Sequence, residues 1–172
     1  MVQASRTIKV NEDPREARLD RSLVWRGLVM KAENPLPFVP VISSCNVIER
    51  RADGLVREIV DKGDSIREIV TFYPERMVKF ERTSGRVLGT ILNEIIEDAD
   101  GDLALKFPFT LTIENVAADS AEEKQLAAQM EGGYLMAVRG TLKAMRTLAA
   151  EQPLSAAPRD DQPIGGEGSR RA

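Results

Sequence analysis

The longest helical pattern in the chain is SAEEKQLAAQMEGGYLMAVRGTLKAMRTLAA, from Ser120 to Ala150. Ser120 and Glu123 have the spacing of a capping box, in which the serine oxygen accepts one free N–H and the glutamate reaches back to another. Side chains of one face then recur every three or four residues: Leu126, Met130, Tyr134, Ala137, Thr141, Met145 and Leu148. The pattern predicts one helix roughly 45 Å long, whose apolar stripe must pack on another layer.

The residues ahead of this helix predict that other layer. A short strand is expected at 6–10, and a helix from the N-cap Asp20 to Glu33, which Asn34-Pro35 ends. Six further strands are predicted at 45–50, 55–60, 65–73, 77–82, 87–97 and 103–114. We therefore expect an α+β fold in which a curved antiparallel sheet and the long helix enclose a pocket.

Turn chemistry sets the register of this sheet, and the register decides which side chains face inward. Ala-Asp-Gly tripeptides ending at Gly54 and Gly101 predict three-residue loops, and Lys62-Gly63 predicts a two-residue loop. The expected neighbours across the strands are Arg57 with Glu68, Phe72 with Val78, Val70 with Phe80, Phe80 with Gly89, Ile91 with Phe109, Asn93 with Phe107, and Ile95 with Leu105. One face is then almost wholly apolar, and the other carries charged residues and threonines.

Composition narrows the class of protein. The chain has 172 residues, a net charge of -3 and a pI near 5.2, which argues against a general nucleic-acid binder. No apolar run is long enough to predict a membrane span, and the N-terminus lacks the apolar core of a signal peptide. The single cysteine, Cys45, excludes an internal disulfide, and we expect a cytoplasmic location. One domain is predicted at 1–151, and a disordered, proline- and glycine-containing tail at 152–172.

The chain contains no histidine. This excludes Ser-His-Asp and Cys-His nucleophile activation, and it removes the usual imidazole ligands of zinc. Any catalysis must then rest on carboxylate, tyrosine, lysine or arginine side chains. We expect neither a metal nor a cofactor.

Several motifs resemble the AtaL-like family of the SRPBCC (START-like) superfamily. They are VWRGLVMKAENP at 24–35, FVP at 38–40, ISSC at 42–45, Arg57-Glu58, Arg67-Glu68, Tyr73-Pro74 and Gly140-Thr141. The resemblance covers roughly residues 6–150. It implies the helix-grip fold, with a bent antiparallel sheet wrapped around a long C-terminal helix, and a hydrophobic ligand such as a lipid or polyketide. It carries no catalytic residues over to this chain.

Arg57 and Glu68 are the most distinctive candidates for chemistry. The register places them opposite one another on the apolar face, with Glu49 expected beside Arg57. Buried charges are costly unless they are paired, so this group is either a structural ion pair, a contact for a ligand, or a catalytic pair. In the last case Glu68 is the candidate acid or base, and Arg57 orients a ligand carboxylate or enolate.

Further candidates for ligand contact lie on the same inner surfaces. Asn93 is expected to face inward with no charged group near it, and either ligand or sheet can supply its hydrogen bond. Tyr134 lies on the helix stripe beside Gly132-Gly133, which is expected to mark a kink or a close approach of the sheet. The remaining candidates are aromatic residues that either line the pocket or fill the core: Trp25, Phe72, Phe80, Phe107 and Phe109.

Three functions are consistent with these features. The first is binding of a hydrophobic small molecule with one polar end, since ligand sites are mostly apolar with a few placed polar groups. The second is a polyketide cyclase- or aromatase-like enzyme that uses Glu68. The third is an interaction protein whose own side chains fill the cavity. The sequence leaves the ligand and the oligomeric state open.

Overall fold

The structure is a computed structural model that describes residues 1–151. Its strands are β1 (Val2–Lys9), β2 (Ile42–Arg51), β3 (Gly54–Asp61), β4 (Asp64–Tyr73), β5 (Met77–Arg82), β6 (Val87–Glu97) and β7 (Leu103–Ile113). Its helices are α1 (Arg21–Glu33) and α2 (Ala121–Glu151). The tail predicted at 152–172 lies outside the described residues.

The seven strands form one antiparallel sheet in the order β1-β7-β6-β5-β4-β3-β2. Strands β2 to β7 form a meander, and β1, the first strand in the chain, lies at the edge of the sheet and pairs with β7. The two helices contact each other, and α1 also packs against β5 and β6. The predicted α+β class and helix-grip arrangement are confirmed. Strand β1 begins four residues earlier than predicted, because Gln3, Ala4 and Ser5 give little apolar alternation.

The core lies between the inner face of the sheet and the two helices. Its sheet side consists of the apolar residues expected there, among them Ile59, Val70, Val78, Ile91, Leu105 and Leu111, all buried. Helix α1 contributes Val24, Leu28 and Ala32, each fully buried. On α2 the buried residues include Val138 and Leu142, beside the predicted Thr141 and Met145. The helix therefore faces the core slightly to one side of the predicted stripe.

Both helices begin at the predicted caps. The Asp20 carboxylate accepts a hydrogen bond from the Leu23 N–H at 2.8 Å, and the Ser120 hydroxyl accepts one from the Glu123 N–H at 3.0 Å. In a capping box the glutamate carboxylate accepts a hydrogen bond from the N–H of the N-cap residue. Here the Glu123 carboxylate accepts instead from the N–H of Asp119, one residue earlier, at 2.8 Å. It also pairs with the amino group of Met1. Glu123 thus joins the chain start to the first turn of α2.

Most of the predicted register is confirmed. Arg57 lies opposite Glu68, Val70 lies opposite Phe80, and Ile91 and Ile95 lie opposite Phe109 and Leu105. Lys62 and Gly63 both have positive φ, as a tight two-residue hairpin of the type I′ class requires. The residues of these tight turns were therefore sufficient to predict how the strands on either side of them align.

The register between β5 and β6 was predicted wrongly. Phe80 lies opposite Ile91, and Gly89 lies opposite Arg82. The reason is that Thr83 stays with β4, since its N–H donates to the Arg67 carbonyl at 2.9 Å. The loop is consequently longer than expected. Because the shift equals two residues, every side chain keeps its predicted face.

The position of Glu49 was also predicted wrongly. The first Ala-Asp-Gly tripeptide forms a two-residue loop, since Gly54 enters β3 opposite Arg51. A β-bulge between Val47 and Glu49 then places Val47 opposite Arg57. Glu49 is exposed and pairs with Arg51 at 2.9 Å. It therefore does not belong to the buried charged group.

Candidate functional site

A cavity of about 770 Å³ lies between the sheet, α2 and the loop that follows α1. Much of its wall is apolar, and the apolar lining includes Phe38, Ile59, Phe80, Ile91, Phe107, Met130 and Val138. Its polar residues include Lys31, Arg57, Asp61, Glu68, Arg82, Asn93 and Tyr134. Such a combination of size, apolar wall and few polar groups is typical of small-molecule sites.

The buried charges form a network across three neighbouring strands. The Glu68 carboxylate accepts hydrogen bonds from Arg57 Nε at 2.8 Å and from Arg82 Nε at 3.3 Å. Arg57 and Glu68 are only 4% and 2% exposed. Arg82 also pairs with Asp61 at 3.4 Å. Glu68 is therefore shared by two guanidinium groups, which offset the cost of burying its charge.

Arg57 also connects the sheet to α1. Its Nη1 donates to the carbonyl oxygens of Ala32 at 2.6 Å and of Lys31 at 3.1 Å. These carbonyls belong to the last turn of α1, where backbone oxygens lack helical partners. The guanidinium also lies 5.0 Å from the centre of the Phe80 ring. Arg57 thus has a structural role in addition to lining the cavity.

Lys31 is a buried cation that we did not predict. Its Nζ donates to Asn93 Oδ1 at 2.8 Å, so the expectation that Asn93 has no charged neighbour was wrong. Burial, together with the nearby positive charge of Arg57, lowers the pKa of Lys31 to about 8. Helical spacing could have revealed it, since Lys31 follows Val24 by seven residues and Leu28 by three, on the buried face.

Tyr134 provides the polar group from α2. Its ring stacks on Phe109 with 5.0 Å between ring centres, and it retains accessible surface because it faces the cavity. Burial raises the pKa of Tyr134 to about 12, against the opposing effect of Arg82. The hydroxyl therefore stays protonated at neutral pH and is available as a hydrogen-bond donor.

The structure brings six of the nine predicted residues together at the cavity: Arg57, Glu68, Asn93, Tyr134, Phe80 and Phe107. The other three lie elsewhere in the core. Trp25 packs edge-on against Phe72, with ring centres 6.2 Å apart, and Phe109 lies behind Tyr134. These three were predicted because each is an aromatic residue on an inner face. That property does not distinguish a residue that lines the cavity from one that packs in the core.

Arg82 and Asp61 are two further cavity residues that we did not predict. Strand alternation could have found both, since Arg82 shares a face with Val78 and Phe80, and Asp61 with Arg57 and Ile59. The Asp61 Oδ1 atom is buried and has no hydrogen-bond partner within residues 1–151. An acceptor of this kind is costly to leave unpaired.

The two glycines beside Tyr134 do not mark a close approach of the sheet. Helix α2 continues through them without interruption, and an added Cβ at Gly132 or Gly133 would meet nothing within 4 Å. Gly133 lines the cavity, whereas Gly132 does not. The absence of a side chain at Gly133 therefore leaves space at the cavity wall.

A separate acidic group lies in the β6–β7 hairpin. The carboxylates of Asp98, Asp100 and Asp102 come within 4.8 Å of one another. Lys9 Nζ lies 3.0 Å from Asp102 and 3.3 Å from each of the other two. This ammonium offsets one of the three negative charges and ties β1 to the hairpin.

The comparisons with known proteins identify the class. The family model described as AtaL, acetylaranotin biosynthesis cluster protein L, matches residues 4–152. The chain therefore belongs to the AtaL family, as its motifs indicated. A comparison with curated proteins gives no significant match.

Solved structures share the fold at low sequence identity. The Zhui aromatase/cyclase from Streptomyces sp. R1128 aligns with a TM-score of 0.59 and 14% identity, over 87% of this chain and 93% of the other. A START superfamily protein from Mycobacterium smegmatis aligns with a TM-score of 0.61 and 13% identity, over 83% of this chain and 98% of the other. The di-domain ARO/CYC StfQ from the steffimycin biosynthetic pathway aligns with a TM-score of 0.61 and 13% identity, over 87% of this chain and 51% of the other. The α+β helix-grip fold is thus that of the START-like superfamily.

Neither helix within residues 1–151 is long and apolar enough to cross a membrane.

Proposed function

We propose that this protein binds a hydrophobic small molecule, lipid- or polyketide-like, in the cavity between the sheet and α2. The observation that carries the proposal is the cavity of about 770 Å³, which is largely apolar and has its least exposed charged groups, those of Lys31, Arg57, Glu68 and Arg82, on α1 and on strands β3 to β5. That volume falls within the range of roughly 300–1,000 Å³ of ligand sites. The similarity in fold to START-like proteins supports it.

The polar groups suggest how one end of such a ligand is held. Among residues 1–151, Lys31 makes one hydrogen bond, to Asn93, and an ammonium has three N–H groups to donate. Tyr134 offers a protonated hydroxyl, and Asp61 Oδ1 offers an acceptor with no partner in the described part of the chain. Of the charged residues that line the cavity, two are carboxylates, Asp61 and Glu68, and five are cations: Lys31, Arg57, Lys62, Arg82 and Lys143. This excess of positive charge favours a ligand whose polar end is anionic or rich in oxygen acceptors.

The experiment that tests the proposal combines ligand recovery with a cavity-filling variant. Native mass spectrometry of protein purified from its own host, followed by organic extraction, should reveal a bound hydrophobic compound. In a dye-displacement assay with hydrophobic acids, Gly133→Leu should weaken binding at least tenfold, because the new side chain occupies the cavity. Gly132→Leu is the matched control, since its side chain lies outside the cavity, and it should bind like the parent. Absence of both carried ligand and dye binding would refute the proposal.

A polyketide cyclase-like activity is the second candidate, with Glu68 as acid or base. It is favoured by the position of Glu68 on the cavity wall and by the similarity in fold to two aromatase/cyclases. Because both oxygens of Glu68 already accept hydrogen bonds from guanidinium groups, proton transfer there would require one arginine to move. Turnover of a polyketide substrate that Glu68→Gln abolishes, with ligand binding retained, would establish this activity in place of binding alone.

A further inference from the structure

The geometry points to Lys31 as a covalent site for carbonyl compounds, which it captures as a reversible imine within the cavity. This inference rests on the proposed binding function and specifies the polar end of the ligand as an aldehyde or ketone. None of the family or fold similarities above assigns a role to Lys31.

The first argument is the position of the amine. Lys31 is only 9% exposed and lines the cavity. Its one hydrogen-bond partner within residues 1–151 is the neutral amide oxygen of Asn93, at 2.8 Å. No carboxylate within that range forms an ion pair with it, whereas Arg57 and Arg82 each have one. The amine therefore lacks the counter-charge that would hold it permanently as an ammonium.

The second argument is the electrostatic surroundings of the amine. Desolvation and a neighbouring cation are the two conditions that activate a lysine as a nucleophile, and Lys31 has both, with Arg57 on β3 as the cation. Glu68 on β4 acts in the opposite sense, and its effect on the pKa of Lys31 is smaller than that of Arg57. The Phe80 ring lies 6.0 Å from the nitrogen. Near pH 8 about half of the amine is neutral.

The third argument is the chemistry of the surrounding cavity. The neutral nitrogen forms a C–N bond to the carbonyl carbon, and one of its two protons passes to the carbonyl oxygen to give a hydroxyl. A second proton converts this hydroxyl to water, whose departure breaks the C–O bond, and loss of the remaining N–H proton balances that second proton and leaves the imine; hydrolysis reverses each step. Lys31 and Tyr134 line the same cavity as Glu68. The protonated Tyr134 hydroxyl can donate to the carbonyl oxygen. Neither oxidant nor reductant is required.

The test uses the full chain with dodecanal as the probe, near pH 8, and sodium cyanoborohydride to reduce any imine to a stable amine. Peptide mapping by mass spectrometry should locate the alkyl group on Lys31. An exposed lysine has a pKa near 10.4, so its neutral fraction is on the order of 100-fold smaller at this pH. Lys31 should therefore be labelled at least tenfold faster than Lys62, which also lines the cavity but is exposed.

Two variants separate covalent capture from simple binding. Lys31→Arg keeps the positive charge but cannot form an imine, so the fast labelling should be lost and only the slow labelling of other lysines should remain, while displacement of a hydrophobic dye by 1-dodecanol persists. Lys124→Arg changes an exposed lysine that does not line the cavity and should label like the parent. Dye displacement without selective labelling of Lys31 in the parent would overturn this inference and leave the binding function standing. Failure of both dodecanal and 1-dodecanol to displace dye would overturn the binding function itself.

Discussion

At the scale of single residues, the buried charges dominate the energetics of the inner face. Arg57, Glu68 and Arg82 are held by one another and by the end of α1. Removing Glu68 leaves Arg57 buried without a carboxylate and leaves Arg82 with Asp61 alone, which is far more costly than losing an exposed ion pair. The stability lost when one partner is removed therefore distinguishes a buried ion pair from an exposed one.

The first prediction compares a buried ion pair with an exposed ion pair that lies beside it between β3 and β4. Glu68→Ala should lower the free energy of unfolding by about 3–5 kcal/mol, because Arg57 and Arg82 lose their shared carboxylate. Glu58→Ala is the control: Glu58 faces Arg67 across the same two strands, at 3.4 Å but exposed, and should cost less than about 1 kcal/mol. Urea denaturation measures both. Equal losses would contradict the structural role assigned to Glu68.

The second prediction concerns the pH dependence that Lys31 introduces. Its pKa is about 8 in the folded chain, against the ordinary lysine value of 10.5, so the unfolded chain binds more protons between these values. Stability from this group therefore rises with pH across that window, by on the order of 3 kcal/mol. Urea denaturation of the parent and of Lys31→Met at several pH values isolates the effect. The difference in unfolding free energy between the two should change with pH in this window, and a constant difference would refute a lowered pKa.

At the scale of elements, the two helices meet at a contact that requires glycine. An added Cβ at Gly27 on α1 would lie 2.4 Å from Cγ of Met145 on α2. Because Met145 is itself buried at 3% exposure, its side chain has little room to move away. The same crossing positions Lys31, one turn further along α1, over β6.

The third prediction follows from this crossing. Gly27→Ala should destabilise the protein by about 1–3 kcal/mol, as overpacking of a filled core does. Gly132→Ala, at an open position of α2, should stabilise it by roughly 0.5–1 kcal/mol, because alanine favours helix over glycine. Thermal denaturation of both variants provides the measurement. A stabilising Gly27→Ala would show that the helices are further apart than described.

At the scale of the whole molecule, we propose that residues 1–151 are a self-sufficient domain. The sheet and both helices share one buried cluster that extends from Val2 on β1 to Met145 on α2. The N-terminal amino group, Glu123 and Asp119 join the first strand to the start of the last helix. The elements near both ends of this range are therefore tied into the core.

The fourth prediction tests that proposal. A chain ending at Glu151 should unfold cooperatively with the same midpoint temperature as the full chain and should retain ligand binding. A chain ending at Gly140 is the contrasting control, since it loses Thr141, Leu142 and Met145 from the core, and it should fail to fold. A large loss of stability on removing 152–172 alone would contradict the predicted domain boundary and the predicted disordered tail.

The sequence by itself determined the order of the elements, the apolar face of the sheet and the opposition of Arg57 and Glu68. These features depend on short-range rules: strand alternation has a period of two, and a tight turn such as Lys62-Gly63 aligns the strands on either side of it. Helix caps at Asp20 and Ser120 are equally local. Errors arose where non-local contacts changed a loop, as at Thr83, or where a bulge intervened, as before Glu49.

Only the tertiary structure decided which inward residues line the cavity and which fill the core. Trp25 and Phe80 are alike in sequence terms, yet one packs against Phe72 and the other faces the cavity. The meeting of Lys31 and Asn93 joins a helix to a strand distant in sequence, and it depends on how α1 crosses the sheet. Helix packing sets that crossing through many weak contacts together, so no local pattern encodes it.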